Sequence, residues 1–150
     1  MSVHLSGALR VLVITSALIS GCSTGPEERP IEGSYVADYD PPMVGYATIN
    51  CDRLISYVLL AVNTVGGFDL SISVTDDCGR VGGSATSFEV LKLGTFARLG
   101  PTLSFTPDGE AAPAFTGQLE GEYVRLTLPA DFEALAPHDL ELRVGPRLPL

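Results

Sequence analysis

Few residues in this chain could do chemistry. His138 stands beside Asp139 in "APHDLEL", and serines are plentiful, so a Ser-His-Asp triad is the first arrangement to weigh. A triad needs the acid to hold the imidazole from the side away from the serine. An aspartate adjacent in sequence does not readily do that, and no Gly-x-Ser-x-Gly elbow is present to present the nucleophile. The pair reads instead as a polar loop before a last strand. Zinc needs three or four His, Cys or carboxylate ligands, more than His138 and two cysteines engaged elsewhere supply. Asp76-Asp77 precedes Cys78-Gly79, but calcium takes six to eight oxygens and the Asp-x-Asp-x-Asp-Gly loop is missing. A turn is the expectation there, and also at Asp38 and Asp40, which flank Tyr39. There is no phosphate loop and no dinucleotide glycine motif. The expectation is a non-catalytic protein with no metal and no cofactor.

The three cysteines, Cys22, Cys51 and Cys78, carry more information. Three is odd, so one cannot join an internal disulfide. Cys22 follows an apolar run, Val11 to Ile19, interrupted only by Thr15 and Ser16, with Arg10 before it and Ser20-Gly21 after it. A charged start, an apolar run and small residues are the layout of a secretory signal. The run is too short to cross a bilayer, which takes roughly 20 apolar residues. Leu18-Ile19-Ser20-Gly21-Cys22 resembles the lipobox of bacterial lipoproteins. The resemblance implies that residues 1–21 are a removed signal peptide, that Cys22 receives a diacylglycerol, and that the new amine is often acylated. Several acyl chains hold a protein at a membrane where one would be marginal. Ser23 is not the aspartate linked to inner-membrane retention, so the resemblance points to an outer membrane, facing periplasm or surface. An exported chain sits where disulfides persist, and with Cys22 lipidated, Cys51 and Cys78 are the remaining pair.

Removing residues 1–21 from the 150-residue chain leaves 129, enough for one domain with a real core. Arg10 is the only charged side chain lost, so 8 basic residues then face 18 acidic ones. Such a surface repels phosphate backbones, which excludes nucleic acid as a partner, and offers no polybasic patch for anionic lipids. "STGPEERPIE" (Ser23–Glu32) has two prolines and three glutamates against one isoleucine. With Cys22 it reads as a tether over 22–32, and the domain as residues 33–147.

Within the domain the apolar periodicity is that of strands. Phe68, Leu70, Ile72 and Val74 alternate with polar residues, as do Val124, Leu126 and Leu128, and Leu140, Leu142 and Val144. Leu103 and Phe105 precede the turn signal "TPDGE", and Phe115, Gly117 and Leu119 begin the next strand. "RLISYVLLAVN" is apolar on both faces. Ser87–Leu99 switches its apolar face near Lys92, which predicts a bulge. Short strands at Tyr35–Tyr39 and Gly45–Asn50 bring the count to about nine. "ADFEALAP" has room for one or two helical turns before Pro137. "FARLGPTLSF" aligns with "GQLEGEYVRL" at an offset of 21, a repeated hairpin that suits an up-and-down meander.

"GTFARLGPTLSFTPDG" followed by "FTGQLEGEYVRLTL" resembles the C-terminal half of lipocalin-like domains of small bacterial lipoproteins, through Gly94-Thr95-Phe96, Leu103-Ser104-Phe105-Thr106 and Phe115-Thr116-Gly117. Gly33-Ser34-Tyr35 is similar to the Gly-x-Trp start of lipocalins, with Tyr replacing Trp; the chain has no Trp. The resemblance implies an all-β fold, a small antiparallel up-and-down barrel of about eight or nine strands, and no enzymatic activity. The alternative is an immunoglobulin-like β-sandwich, which normally spaces its cysteines more widely and packs a Trp beside them. In a barrel, Tyr35, Phe68, Phe88, Phe96, Phe105 and Phe115 are interior candidates to line a pocket for a small apolar ligand. A barrel this small is filled by side chains or holds one small ligand. The remaining expectation is a structural or protein-interaction module of the cell envelope, reached through the outer face or the loop "RVGGSAT" (Arg80–Thr86).

Overall fold

The computed structural model describes residues 30–79, 82–130, 132–135 and 138–145. The signal segment, Cys22, the start of the tether, Arg80, Val81, Pro137 and the chain after Gly145 lie outside the described residues. Eight strands follow one another: β1 (Gly33–Ala47), β2 (Asp52–Val62), β3 (Gly67–Asp77), β4 (Thr86–Leu99), β5 (Thr102–Pro107), β6 (Phe115–Glu120), β7 (Tyr123–Leu128) and β8 (His138–Val144). Each pairs antiparallel with the next, and β8 returns to β1, so the sheet is a closed up-and-down barrel. Closure leaves every strand with a neighbour on both sides and overturns the sandwich alternative. The two short strands expected near the start are one strand, β1, bent by register shifts between Asp38 and Met43 and between Val44 and Tyr46. That reduces nine to eight.

An up-and-down order sends successive hairpins to opposite ends. The chain enters at Pro30–Gly33 beside the β2–β3, β4–β5 and β6–β7 turns, an end called here the amino-terminal mouth. The β1–β2, β3–β4, β5–β6 and β7–β8 connections lie at the other end, the disulfide rim. Tyr35 donates its hydroxyl hydrogen to the Ile31 carbonyl at 3.0 Å, and Ile31 is buried. The folded unit therefore takes in Ile31, two residues before the first strand.

The apolar alternation reads as interior against exterior. Phe68, Leu70, Ile72 and Val74 of β3 are all buried, as are Val124, Leu126 and Leu128 of β7. In β2 the interior residues are Ile55, Val58, Leu60 and Val62. Ile55 and Val58 are three apart because a register shift between Ile55 and Tyr57 inserts one residue, which explains the strand's two apolar faces. The bulge expected near Lys92 is absent. β4 pairs with β3 without a shift from Gly67–Thr95 to Asp76–Thr86. The apolar face switches there because Leu91 and Leu93 point outward and stay exposed, while Lys92 and Gly94 take the inner positions.

Gly94 is where β4 leaves β3 and continues along β5. A Cβ there would lie 2.2 Å from the Thr106 carbonyl oxygen and 2.9 Å from the Phe68 ring. Only glycine allows the two strands and the ring to meet. The β4–β5 and β6–β7 hairpins are the sequence repeat made visible. Phe96 faces Phe105 and Leu99 faces Thr102; 21 residues on, Gly117 faces Leu126 and Glu120 faces Tyr123. Each turn has two residues, with Gly100 (φ 59°) or Gly121 (φ 62°) first, the left-handed position that tight hairpins demand.

The β1–β8 seam is the thinnest part of the wall. Only Tyr35–Val144 and Val36–Arg143 are in register, helped by the Gly145 N–H donating to the Ser34 carbonyl at 2.7 Å. Further along β1, Pro41 and Pro42 have no N–H to give. There the His138 ring spans the seam, Nε2 to the Gly45 carbonyl at 2.6 Å, so Nε2 carries the hydrogen. Tyr39 sits in the same stretch; burial, then the nearby Glu141 charge, pushes its hydroxyl pKa up.

Gly94→Ala is expected to destabilise the barrel by about 2–3 kcal/mol, in the upper range for overpacking a filled site. Urea unfolding followed by far-UV circular dichroism measures this; an unchanged midpoint would contradict the packing described.

Candidate functional site

The interior is the first place to look for a ligand, and it is occupied by phenylalanine. Phe105 and Phe115 stack at 4.8 Å between centroids, and Phe68 meets both edge-on at 5.2 and 5.5 Å. Phe132 closes against Phe115 edge-on at 5.4 Å, and Phe96 lies 6.1 Å from Phe105 on the mouth side. Aromatic pairs in these geometries add about 0.5–1.5 kcal/mol each beyond the area they bury. Tyr35, Phe68, Phe105 and Phe115 are thus buried, the three phenylalanines as mutual packing partners and Tyr35 with its hydroxyl on the Ile31 carbonyl. Phe88 is a correction. It shares the inner register, opposite Val74, yet stands at the rim with 39% of its surface exposed. β4 outruns the packed aromatic core there, and the group over the ring is the Arg53 guanidinium at the rim.

Phe132 comes from the β7–β8 connection, where the one or two helical turns expected are a single 3₁₀ turn (Phe132–Ala134). Phe132 and Leu135 are buried, and Leu135 lies against Gly45, where an added Cβ would come within 3.1 Å of it. The turn plugs the disulfide rim. Lys92, on an inner position of β4, pairs with the Glu133 carboxylate, and its ammonium lies 6.0 Å from the Phe132 ring centre. A lysine in the inner face is tolerated because its charged end reaches the rim and finds a partner.

Beside the plug, Arg53 of β2 and Asp76 of β3 are direct cross-strand neighbours. The guanidinium grips the carboxylate with two parallel bonds, Nε at 2.7 Å and Nη2 at 2.8 Å. It also lies 5.1 Å over Phe88 and donates from Nη1 to the Glu133 carbonyl at 3.4 Å. The bidentate bond holds the Asp76 carboxyl below its ordinary pKa, with the Arg53 charge adding to it and partial burial opposing. Two positions beyond this pair the Cys51–Cys78 disulfide joins the ends of β2 and β3, its cysteines 27 positions apart in sequence. Closing a loop of that size stabilises a fold by roughly 3–4 kcal/mol in the chain-entropy treatment.

The other sequence candidates are used locally. Asp77 accepts the Gly79 N–H at 2.9 Å, so it caps a turn while Asp76 is held by Arg53. Asp38 and Asp40 are exposed on β1. His138 bonds the Gly45 carbonyl, and Asp139 accepts from Thr127 at 2.7 Å; the two are aimed at different partners. Among the described residues no group of three His, Cys, Asp or Glu is placed to hold a metal ion. Arg53–Asp76, Lys92–Glu133 and Phe132 were not singled out from sequence. The odd inward Lys92 was the available signal, since a charge on an inner face must find a partner.

Among the described residues, open clefts lie at both ends of the packed interior. One, about 320 Å³, lies at the disulfide rim between Tyr46, Thr48, Cys51, Arg53 and Asp76. The other, about 470 Å³, lies at the amino-terminal mouth among Pro30–Glu32, Asn63–Gly66, Phe96 and Arg98. On the outside, register aligns Val36, Leu59, Ser71 and Leu91 in one row across β1 to β4. Leu91, Leu93 and Tyr57 are exposed around it. No family model matches the chain, and no curated protein and no solved structure matches it either.

The Arg53–Asp76 pair fixes a pH signature. A carboxyl with a depressed folded-state pKa contributes stability above its ordinary pKa, about 4, and loses it as pH falls through the folded value. Asp76→Asn should therefore cost up to about 1 kcal/mol near pH 7, the range for a half-exposed ion pair. That deficit should shrink as pH drops below about 4. Urea midpoints of parent and variant across pH 2–7 measure it; a deficit independent of pH would contradict the assignment.

Proposed function

We propose that this chain is a bacterial envelope lipoprotein, anchored through Cys22, whose lipocalin-like barrel is non-catalytic and works through its outer surface as a structural or protein-interaction module. The lipobox-like Leu18–Cys22 supports the anchor, and Ser23 favours an outer membrane, facing periplasm or surface. The observation that carries the choice of outer surface over interior is the Phe68–Phe105–Phe115 cluster, which occupies the space a lipocalin would give to a ligand. The outward Val36 and Leu59 on one side of Ser71 and Leu91 and Leu93 on the other, with Tyr57 nearby, are the apolar exterior positions such a module would use. A carrier of a small apolar molecule is the second reading. The cleft at the amino-terminal mouth favours it, because Ile31, Val65 and Phe96 give that cleft an apolar lining.

A photo-crosslinking residue at Leu91 should give a discrete adduct with an envelope protein in cells. The same residue at Thr116, exposed on β6, should not. Cys22→Ala should move the protein from the membrane to the soluble fraction. Failure to obtain any reproducible adduct from position 91 removes the interaction reading, and a Cys22→Ala variant that fractionates like its parent removes the anchor.

A further inference from the structure

The amino-terminal mouth carries two apolar points. Val65 at the β2–β3 turn and Leu99 at the end of β4 leave 88% and 84% of their surface exposed. Both are held there by the backbone. Asn63 accepts the N–H groups of Val65 at 3.1 Å and Gly67 at 2.7 Å through its side-chain oxygen, and the Phe96 N–H donates to the Gly66 carbonyl at 2.8 Å. Arg98 donates from Nε to the Gly100 carbonyl at 2.9 Å, bracing the second turn. Both side chains stand at the tips of hydrogen-bonded turns, Val65 also forming part of the wall of the mouth cleft.

The chain enters the barrel between these turns, since Pro30, Ile31 and Glu32 line the same cleft as Val65 and Arg98. Cys22 lies eight residues before Pro30. Eight residues span at most about 28 Å fully extended, and about 16 Å on average as a flexible coil. β2, with 11 residues, runs about 36 Å at 3.3 Å per residue, which is about 28 Å along the axis of a barrel whose strands tilt by about 40°, well beyond the average reach of the tether. A lipid on Cys22 therefore keeps the mouth, not the disulfide rim, at the bilayer. In the hairpin order, the turns bearing Val65 and Leu99 are neighbours. The acidic β6–β7 turn, with Glu120 before it and Glu122 in it, lies across the mouth from Val65.

We infer that the barrel docks on the lipid bilayer itself through Val65 and Leu99, tilted so that these two tips enter the headgroup region of an uncharged membrane. The inference rests on the Cys22 anchor proposed above. Two apolar tips are weak on their own but act at the high local concentration a tether creates. Glu120 and Glu122 are turned away from the contact, which suits zwitterionic lipid.

The absence of tryptophan from the chain supplies the test. Val65→Trp, Leu99→Trp and Ile49→Trp each add a single fluorophore. Ile49, 89% exposed in the β1–β2 connection at the disulfide rim, controls for tryptophan's own liking for interfaces. Each full-length lipidated variant is reconstituted into phosphatidylcholine vesicles, floated on a density gradient, and compared with vesicles of brominated phosphatidylcholine. The expected result is blue-shifted emission that brominated lipid quenches at positions 65 and 99. Emission at position 49 should stay red and unquenched. If the protein floats with the vesicles but positions 65 and 99 behave like 49, the docking surface is wrong and the anchor stands. If the protein fails to float, the anchor is wrong and the docking falls with it.

Discussion

The stacked rings of Phe105 and Phe115, with the Phe68 edge against both, determine what this barrel can be. Eight strands enclose a space that side chains can fill or that one small ligand can share. Here three rings meet at its centre, and their fit dictates much around them. Gly94 must lack a Cβ because the Phe68 ring and the β5 backbone already occupy that volume. Gly117 must be small because Phe105, Leu126 and Val124 would lie within 3.4 Å of a Cβ there. Phe132 is drawn onto Phe115, which pulls the β7–β8 connection across the rim as a plug.

The two ends of the barrel differ in consequence. At the disulfide rim, Cys51–Cys78, Arg53–Asp76, Lys92–Glu133 and the Phe132 turn tie β2, β3, β4 and the last connection together. Surface ion pairs are individually weak, but these link different elements over the edge of one aromatic core. The amino-terminal mouth is held chiefly by turns, and it presents Val65 and Leu99 to solvent.

Much of the fold was legible because strand alternation is a direct record of inside and outside. Phe68–Val74 and Tyr123–Leu128 read correctly residue by residue, and the offset of 21 between two hairpins survives as identical register. The disulfide was legible by elimination once Cys22 was assigned elsewhere. What failed did so where local pattern and tertiary packing part. β4 looked bulged because Leu91 and Leu93 are apolar yet exposed, and periodicity assumes that apolar means buried. Phe88 looked interior because alternation gives a face but not the depth of the packed core. Arg53–Asp76 and Lys92–Glu133 join residues 23 and 41 apart, and nothing local marks such pairs.

The central claim is that aromatic side chains, not a ligand, fill the barrel. Native mass spectrometry of the protein extracted gently from its own envelope tests it most directly. The account predicts the mass of the lipidated polypeptide alone. A stoichiometric additional mass, released on unfolding as a small apolar molecule, would contradict it.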